Sequence, residues 1–244
     1  MLILDSKVNV VYEEVEGIVK KFYTSSSYLE ESFEEAEYYP LPEDAPAGIP
    51  RFVLKSKGGY SELYFAKNIM QLETRYDGEY RTEWGLCAEN ISRKIDGIYN
   101  VLDRITEGDY MFSGIKVRAI YDEEQKNGTQ KLQDSILKIN SQNELFDVDC
   151  KLTYVYGGWY VNIALANVRR YGEEDAAQDI MRPGMLKEGG ANAIMVTIDV
   201  NDRYSYNTDI KTTSSSESMK KMIQKIGGIL RSMPTIIEKG EVCI

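Results

Sequence analysis

From Trp84 to Ile105 apolar residues recur every three or four positions, through Cys87, Ala88, Ile91, Ile95, Ile98 and Leu102. Glu83, Arg93, Lys94, Asp96 and Asp103 fall opposite them. Such spacing lines one face of an α-helix, so a long amphipathic helix is predicted over 82–105. A second stripe, Met219, Met222, Ile223, Ile226, Ile229, Leu230 and Met233, predicts a later helix. The Ser214-x-x-Glu217 spacing of a capping box opens it. Lys220, Lys221, Lys225 and Arg231 lie opposite that stripe, and packing against a sheet accounts for it better than a membrane surface does.

Between the helical stretches the period falls to two. Phe52 and Leu54 alternate with Arg51, Val53 and Lys55, Gly58-Gly59 turns, and Leu63 and Phe65 resume on a returning strand. Tight hairpin turns need positive φ, so paired glycines between alternating runs predict a hairpin. A third strand comes next, over 69–76. Earlier in the chain, 8–12 and 15–23 are β-leaning, Ser25 to Ser27 offer caps for a short acidic helix reaching about Glu37, and a loop rich in proline and glycine leads to the hairpin. The same order returns later: a strand at 115–121, a helix at 129–139, strands at 148–156 and 159–168 around Gly157-Gly158, and a strand at 193–200. Each half, 1–108 and 109–244, thus reads strand–helix–strand–strand–strand–helix. The expectation is an α+β fold built by internal duplication and packed as one compact unit, with two antiparallel sheets or one continuous sheet.

Composition narrows the chemistry. The chain has no histidine and 18 tyrosines. Without imidazole, Ser-His-Asp and Cys-His catalysis and His-ligated metals are excluded, leaving carboxylate, lysine, tyrosine or cysteine chemistry, or none. Cys87, Cys150 and Cys243 are too few and too far apart for a disulfide framework or a zinc pair. No secretory signal or membrane-length apolar run is visible, so a cytoplasmic location is expected. Of the net charge of −10, residues 13–44 carry −8, with ten acids against Lys20 and Lys21. Direct nucleic-acid binding is therefore not expected, whereas the acidic segment suits a protein partner with a basic surface.

Three groups of side chains are candidates for function. Tyr60 and Tyr64 on the first hairpin, with Tyr154, Tyr156 and Trp159 on the second, offer amphipathic area for a partner or a flat ligand. Connection 169–192 is long for a compact domain and carries Glu173, Glu174, Asp175, Met181, Arg182 and Met185, the make-up of a lid or contact loop. Asp147, Asp149 and Lys151 alternate on one strand and, with Asp122, outline the acid…acid-x-lysine arrangement of metal-dependent nucleases. Asp199-x-Asn201-Asp202 resembles the start of a calcium loop but lacks its glycine and final glutamate, and reads as a turn. No cofactor is expected, and a nuclease reading alone would require a metal.

The run Pro50-Arg-Phe-Val-Leu, then Ser61-Glu-Leu-Tyr-Phe, Tyr76, a long helix and Ile115-Lys-Val-Arg-Ala-Ile-Tyr121 resembles a sporadically distributed bacterial family without assigned activity. The resemblance implies a phage, mobile-element or defence context and brings no functional residues. A more distant likeness is to the duplicated modules of gyrase-inhibitory-protein-like ligand-binding domains. The leading expectation is a non-catalytic protein-binding protein. The alternatives are a small-molecule sensor with an aromatic cleft between the halves, and a metal-dependent nuclease. Homo-oligomerisation stays open.

Overall fold

The computed structural model describes residues 1–122, 128–140, 143, 145–170, 180–181, 191–208 and 214–242. Among them the chain forms β1 (Leu2–Val11), α1 (Ile18–Tyr23), β2 (Glu37–Tyr38), β3 (Phe52–Lys55), β4 (Ser61–Phe65) and β5 (Ile69–Arg75). Then come α2 (Trp84–Thr106), β6 (Phe112–Asp122), α3 (Gly128–Leu132), β7 (Asp149–Tyr156), β8 (Trp159–Arg170) and β9 (Ile180–Met181). β10 (Ala191–Asn201), α4 (Arg203–Asn207) and α5 (Ser216–Lys239) complete the order. The fold is α+β. Of the two arrangements open from sequence, it adopts one continuous antiparallel sheet in the order β2-β3-β4-β5-β1-β6-β10-β8-β7, with β9 also paired to β8. Outward from the central β1–β6 pair, the strands run β5, β4, β3 on one side and β10, β8, β7 on the other.

The alternation of side chains decides which face is dry. On β1, Val8 and Val10 are buried with Leu63 and Phe65 of β4, Leu72 of β5, Val117 of β6 and Val196 of β10. These meet the stripes of α2 and α5 in a single core, and the two helices also pack against each other. The opposite face is polar through its middle. Register sets Lys55, Glu62, Glu73, Lys7, Lys116, Asp199 and Asn162 in one row across seven strands. Lys7 Nζ reaches Glu73 Oε1 at 3.0 Å, and one row along Arg118 grips both oxygens of Asp5. A small apolar cluster of Leu4, Ile120, Val168 and Ala193 sits on this second face under Ile180 and Met195.

The first strand is longer than its alternation predicts, and residues 15–23 are helical in part rather than extended. Val15, Ile18 and Phe22 are buried at helical spacing, and Gly17, with φ of 62°, turns the chain into α1. The predicted acidic helix to Glu37 does not form. Ser25 Oγ instead folds back onto the carbonyls of Lys21 and Phe22, at 2.9 and 3.2 Å, and so ends α1. A short hydroxyl side chain bonding the preceding turn competes with opening a new helix. In its place stand one 3-10 turn, Ser26–Leu29, and a segment anchored by buried Leu29 and Phe33. All ten acids of 13–44 remain exposed.

On the second side the helix predicted at 129–139 is α3 succeeded by a π turn, Gln133–Leu137. α5 opens at Ser215, whose side chain accepts from Ser218 N at 3.1 Å, one residue later than the capping-box spacing suggests. Asp202, read as a turn residue, is 1% exposed and ties three elements. It accepts from Ser113 N at 2.6 Å and Ser113 Oγ at 3.2 Å at the start of β6, and from Ser214 Oγ before α5. Burial pushes its carboxyl above the ordinary range while those donors pull it back. Among the described residues no helix is long and apolar enough to cross a membrane.

Candidate functional site

The stripe of α2 that enters the core runs Cys87, Ile91, Lys94, Ile98, Val101 and Ile105, with steps of four and three. Lys94 is therefore a core-facing position and not, as its charge suggests, part of the solvated face. It is only 9% exposed. Its amine reaches β4 and donates to Ser61 Oγ at 2.7 Å. Ser61 Oγ and Thr74 Oγ1, directly opposite on β5, share a hydrogen bond of 2.8 Å. Ser61 N donates to Ser56 Oγ at 3.0 Å, which fixes the root of the hairpin.

Among the described residues no carboxylate pairs with Lys94. Burial pushes its amine down from 10.5 to about 8, and the Arg93 guanidinium adds to the effect. A buried cation with one neutral partner costs stability, because a lost hydration shell is not offset by one hydroxyl. Such departures cluster at functional sites.

Lys94 also lines a cleft of about 950 Å³. Asn90, Arg93 and Gly97 of α2 form one wall and residues 27–33 another; the hairpin turn with Lys57 and Tyr60 and the end of β5 with Arg75, Tyr76 and Asp77 close the rest. That volume lies at the upper end of the range of small-molecule sites. The lining holds four cations, Lys57, Arg75, Arg93 and Lys94, and three acids, Glu31, Asp77 and Asp96. Asp96 is already taken by Lys220 of α5, at 2.6 Å. The lining thus carries one positive charge in excess, although one of its walls comes from the acidic 13–44 segment.

Its aromatic surface is ordered by specific contacts. Tyr76 donates to or accepts from Ser6 Oγ at 2.7 Å and lies parallel to Tyr80, with ring centroids 6.4 Å apart. Cys87, whose thiol burial pushes up to about 12, donates to the Tyr80 carbonyl. Arg104 donates to Tyr28 Oη at 2.6 Å and covers its ring. Tyr60, 53% exposed, remains open at the rim. No known family model matches this chain, and no curated protein does. Its geometry is the guide to its function.

The wall at residues 27–33 is held close to α2 by Gly97. A Cβ there would stand 2.6 Å from the Tyr28 carbonyl oxygen, a backbone atom with little room to yield. Gly97→Ala is expected to push this wall outward at a cost of about 1–3 kcal/mol, the usual penalty of overpacking. Chemical denaturation checks it, and an unchanged midpoint would show that the wall gives way without strain.

The sequence candidates scatter. Tyr60 enters the cleft, but Tyr64 faces the other side of the sheet and donates to Glu62. Tyr154 and Trp159 pack half-buried against the core at the far side, and Lys225 Nζ stands 3.5 Å above the Tyr156 ring. β4 and β7 are six strands apart, roughly 29 Å at normal strand spacing, so the two tyrosine groups do not share one site. This cleft lies within the first half; a smaller cavity of about 470 Å³ between the halves is lined by Tyr99 and Asp103 on one side and Tyr110 and Ser215 on the other. Asp147, Asp149 and Lys151 are exposed on or beside edge strand β7, whereas Asp122 ends β6, with β10 and β8 between. Among the described residues no group of three acids or cysteines is placed to hold a metal. Glu173, Glu174, Asp175, Arg182 and Met185 lie outside the described residues, and of Met181 only the backbone pairing with Arg169 is described.

The Ser61–Lys94 contact resembles a nucleophile and its base, yet Ser61 is 1% exposed and no substrate carbonyl could reach its hydroxyl. Its role is to hold the amine.

Proposed function

We propose that this is a non-catalytic binding protein whose ligand is a small molecule seated in the cleft over Lys94. One observation carries the reading: an amine without an ionic partner among the described residues lies in the wall of a ligand-sized cleft. A lysine placed there for stability alone would have been better replaced by an apolar side chain. The outward run of strands on either side of the β1–β6 pair suits an internal duplication in which one side, the one bearing the cleft, has specialised. A protein partner is the second reading. It is favoured by exposed Tyr23, Tyr38, Tyr39 and Ile49, which stand among the exposed acids of the 13–44 segment and the loop after it.

A thermal-shift screen against nucleotides, aromatic acids and neutral aromatics tests the first reading, because a ligand specific to the folded state stabilises it by mass action. At least one class should raise the melting temperature, and Asn90→Trp, which fills the cleft, should abolish that rise. A panel without effect, or hits indifferent to Asn90→Trp, would reject the cleft.

A further inference from the structure

We propose that the ligand of this cleft is an aromatic anion, its carboxylate or phosphate group paired with the Lys94 amine and its ring against the tyrosine rim. The inference rests on the cleft being a ligand site and adds the class of ligand. Three features of the site argue for it.

The first is the unmet capacity of the amine. An ammonium group has three donors, and Ser61 Oγ takes one of them. An oxyanion would supply both missing acceptors and the opposing charge, beside an amine whose residue is only 9% exposed. A neutral ligand could fill the space but would leave the charge unbalanced.

The second is the charge of the surrounding walls. Arg93 follows Lys94 in the lining of α2, Arg75 ends β5, and Lys57 comes from the hairpin. Against them stand Glu31, Asp77 and Asp96; Asp96 is paired with Lys220 and Arg93 with Glu89, which leaves the lining one positive charge in excess. A cationic ligand would meet this excess and the buried amine together, and repulsion would exclude it.

The third is the aromatic rim. Tyr60 is half exposed at the mouth, and Tyr80 is fixed by its stacking on Tyr76. Flat ring faces of this kind favour planar ligands by stacking.

The test uses two matched pairs of probes on the full chain: adenosine 5′-monophosphate with adenosine, and benzoate with benzamide. Affinities are measured by titration calorimetry in wild type, Lys94→Met and Arg93→Gln. The anionic member of at least one pair should bind wild type tenfold or more tightly than its neutral partner. Lys94→Met should reduce that preference below about threefold while leaving the neutral member's affinity unchanged, and Arg93→Gln should weaken it less. Which pair shows the preference separates phosphate from carboxylate. Equal binding of both members, or a preference that survives Lys94→Met, overturns the anionic class while the cleft stands. If no probe of either kind binds, the class is overturned together with the cleft reading. Should Lys94→Met not fold, a preference unchanged in Arg93→Gln is the result that rejects the proposal.

Discussion

Lys94→Met will be more stable than the natural protein at pH 7, by about 2 kcal/mol. The fall of its amine from 10.5 to about 8 corresponds to about 3 kcal/mol against the charged form at neutral pH. Methionine keeps the length of the side chain and loses the contact with Ser61, worth about 1 kcal/mol. The direction of the shift sets the sign of the pH dependence. Between about 8 and 10.5 the unfolded chain holds a proton at this lysine that the folded chain has released, so this residue's contribution improves as pH rises. The advantage of Lys94→Met should be full well below pH 8 and shrink as pH rises towards 10.5, where the neutral amine's bond to Ser61 turns it into a small deficit. Cys87 acts oppositely above its ordinary value of 9.0, because its thiol stays protonated in the fold up to about 12. That effect is common to both proteins and cancels in their difference. Paired denaturation curves from about pH 7 to about pH 10 check the prediction. A variant less stable than wild type at neutral pH would remove the argument that Lys94 is a cost kept for binding.

Asp202→Ala should destabilise by about 3 kcal/mol, the cost of stranding buried donors. Ser113 N, Ser113 Oγ and Ser214 Oγ all point at this carboxylate, and with alanine they face a void. Asp202→Asn should cost below about 1 kcal/mol, since the amide oxygen can accept from Ser113 N and the two serine hydroxyls can turn to accept from the amide nitrogen. Because burial holds the folded carboxyl above 3.8, wild type should gain on Asp202→Asn as pH falls from neutral towards that value. Equal losses in both variants, measured by urea denaturation, would mean that charge rather than hydrogen-bond geometry holds the junction.

Much of this architecture is legible in the alternation of side chains. Helix α2, the β3–β4 hairpin and the strands at 115–121 and 193–200 come from period alone, because each has one dry face and one wet face. The helix expected after Ser25 fails because those hydroxyls finish the preceding helix, and residue type does not reveal that choice. Lys94 is hidden for a different reason. Its position continues the four-three steps of Cys87, Ile91 and Ile98, but lysine is so seldom buried that charge outweighs spacing. The walls of the cleft are beyond the reach of sequence in principle. Tyr28, Lys57, Arg75 and Arg93 come from four separate elements, and their meeting depends on the Gly97 contact and on the β4–β5 register. Phe33 and Leu29 are visible as apolar residues, yet only the fold gives them the task of pinning the second wall.

Within the sheet, the two sides meet through a single seam, where β1 runs between β5 and β6. Were that seam to part, two raw strand borders would be bared in the same event, each long and apolar on one side. Neighbouring copies could then stitch onto them. In the intact fold the open borders are the outer strands β2 and β7, and these carry exposed Glu37, Asp149 and Lys151, charges of the kind that hinder edge-to-edge pairing.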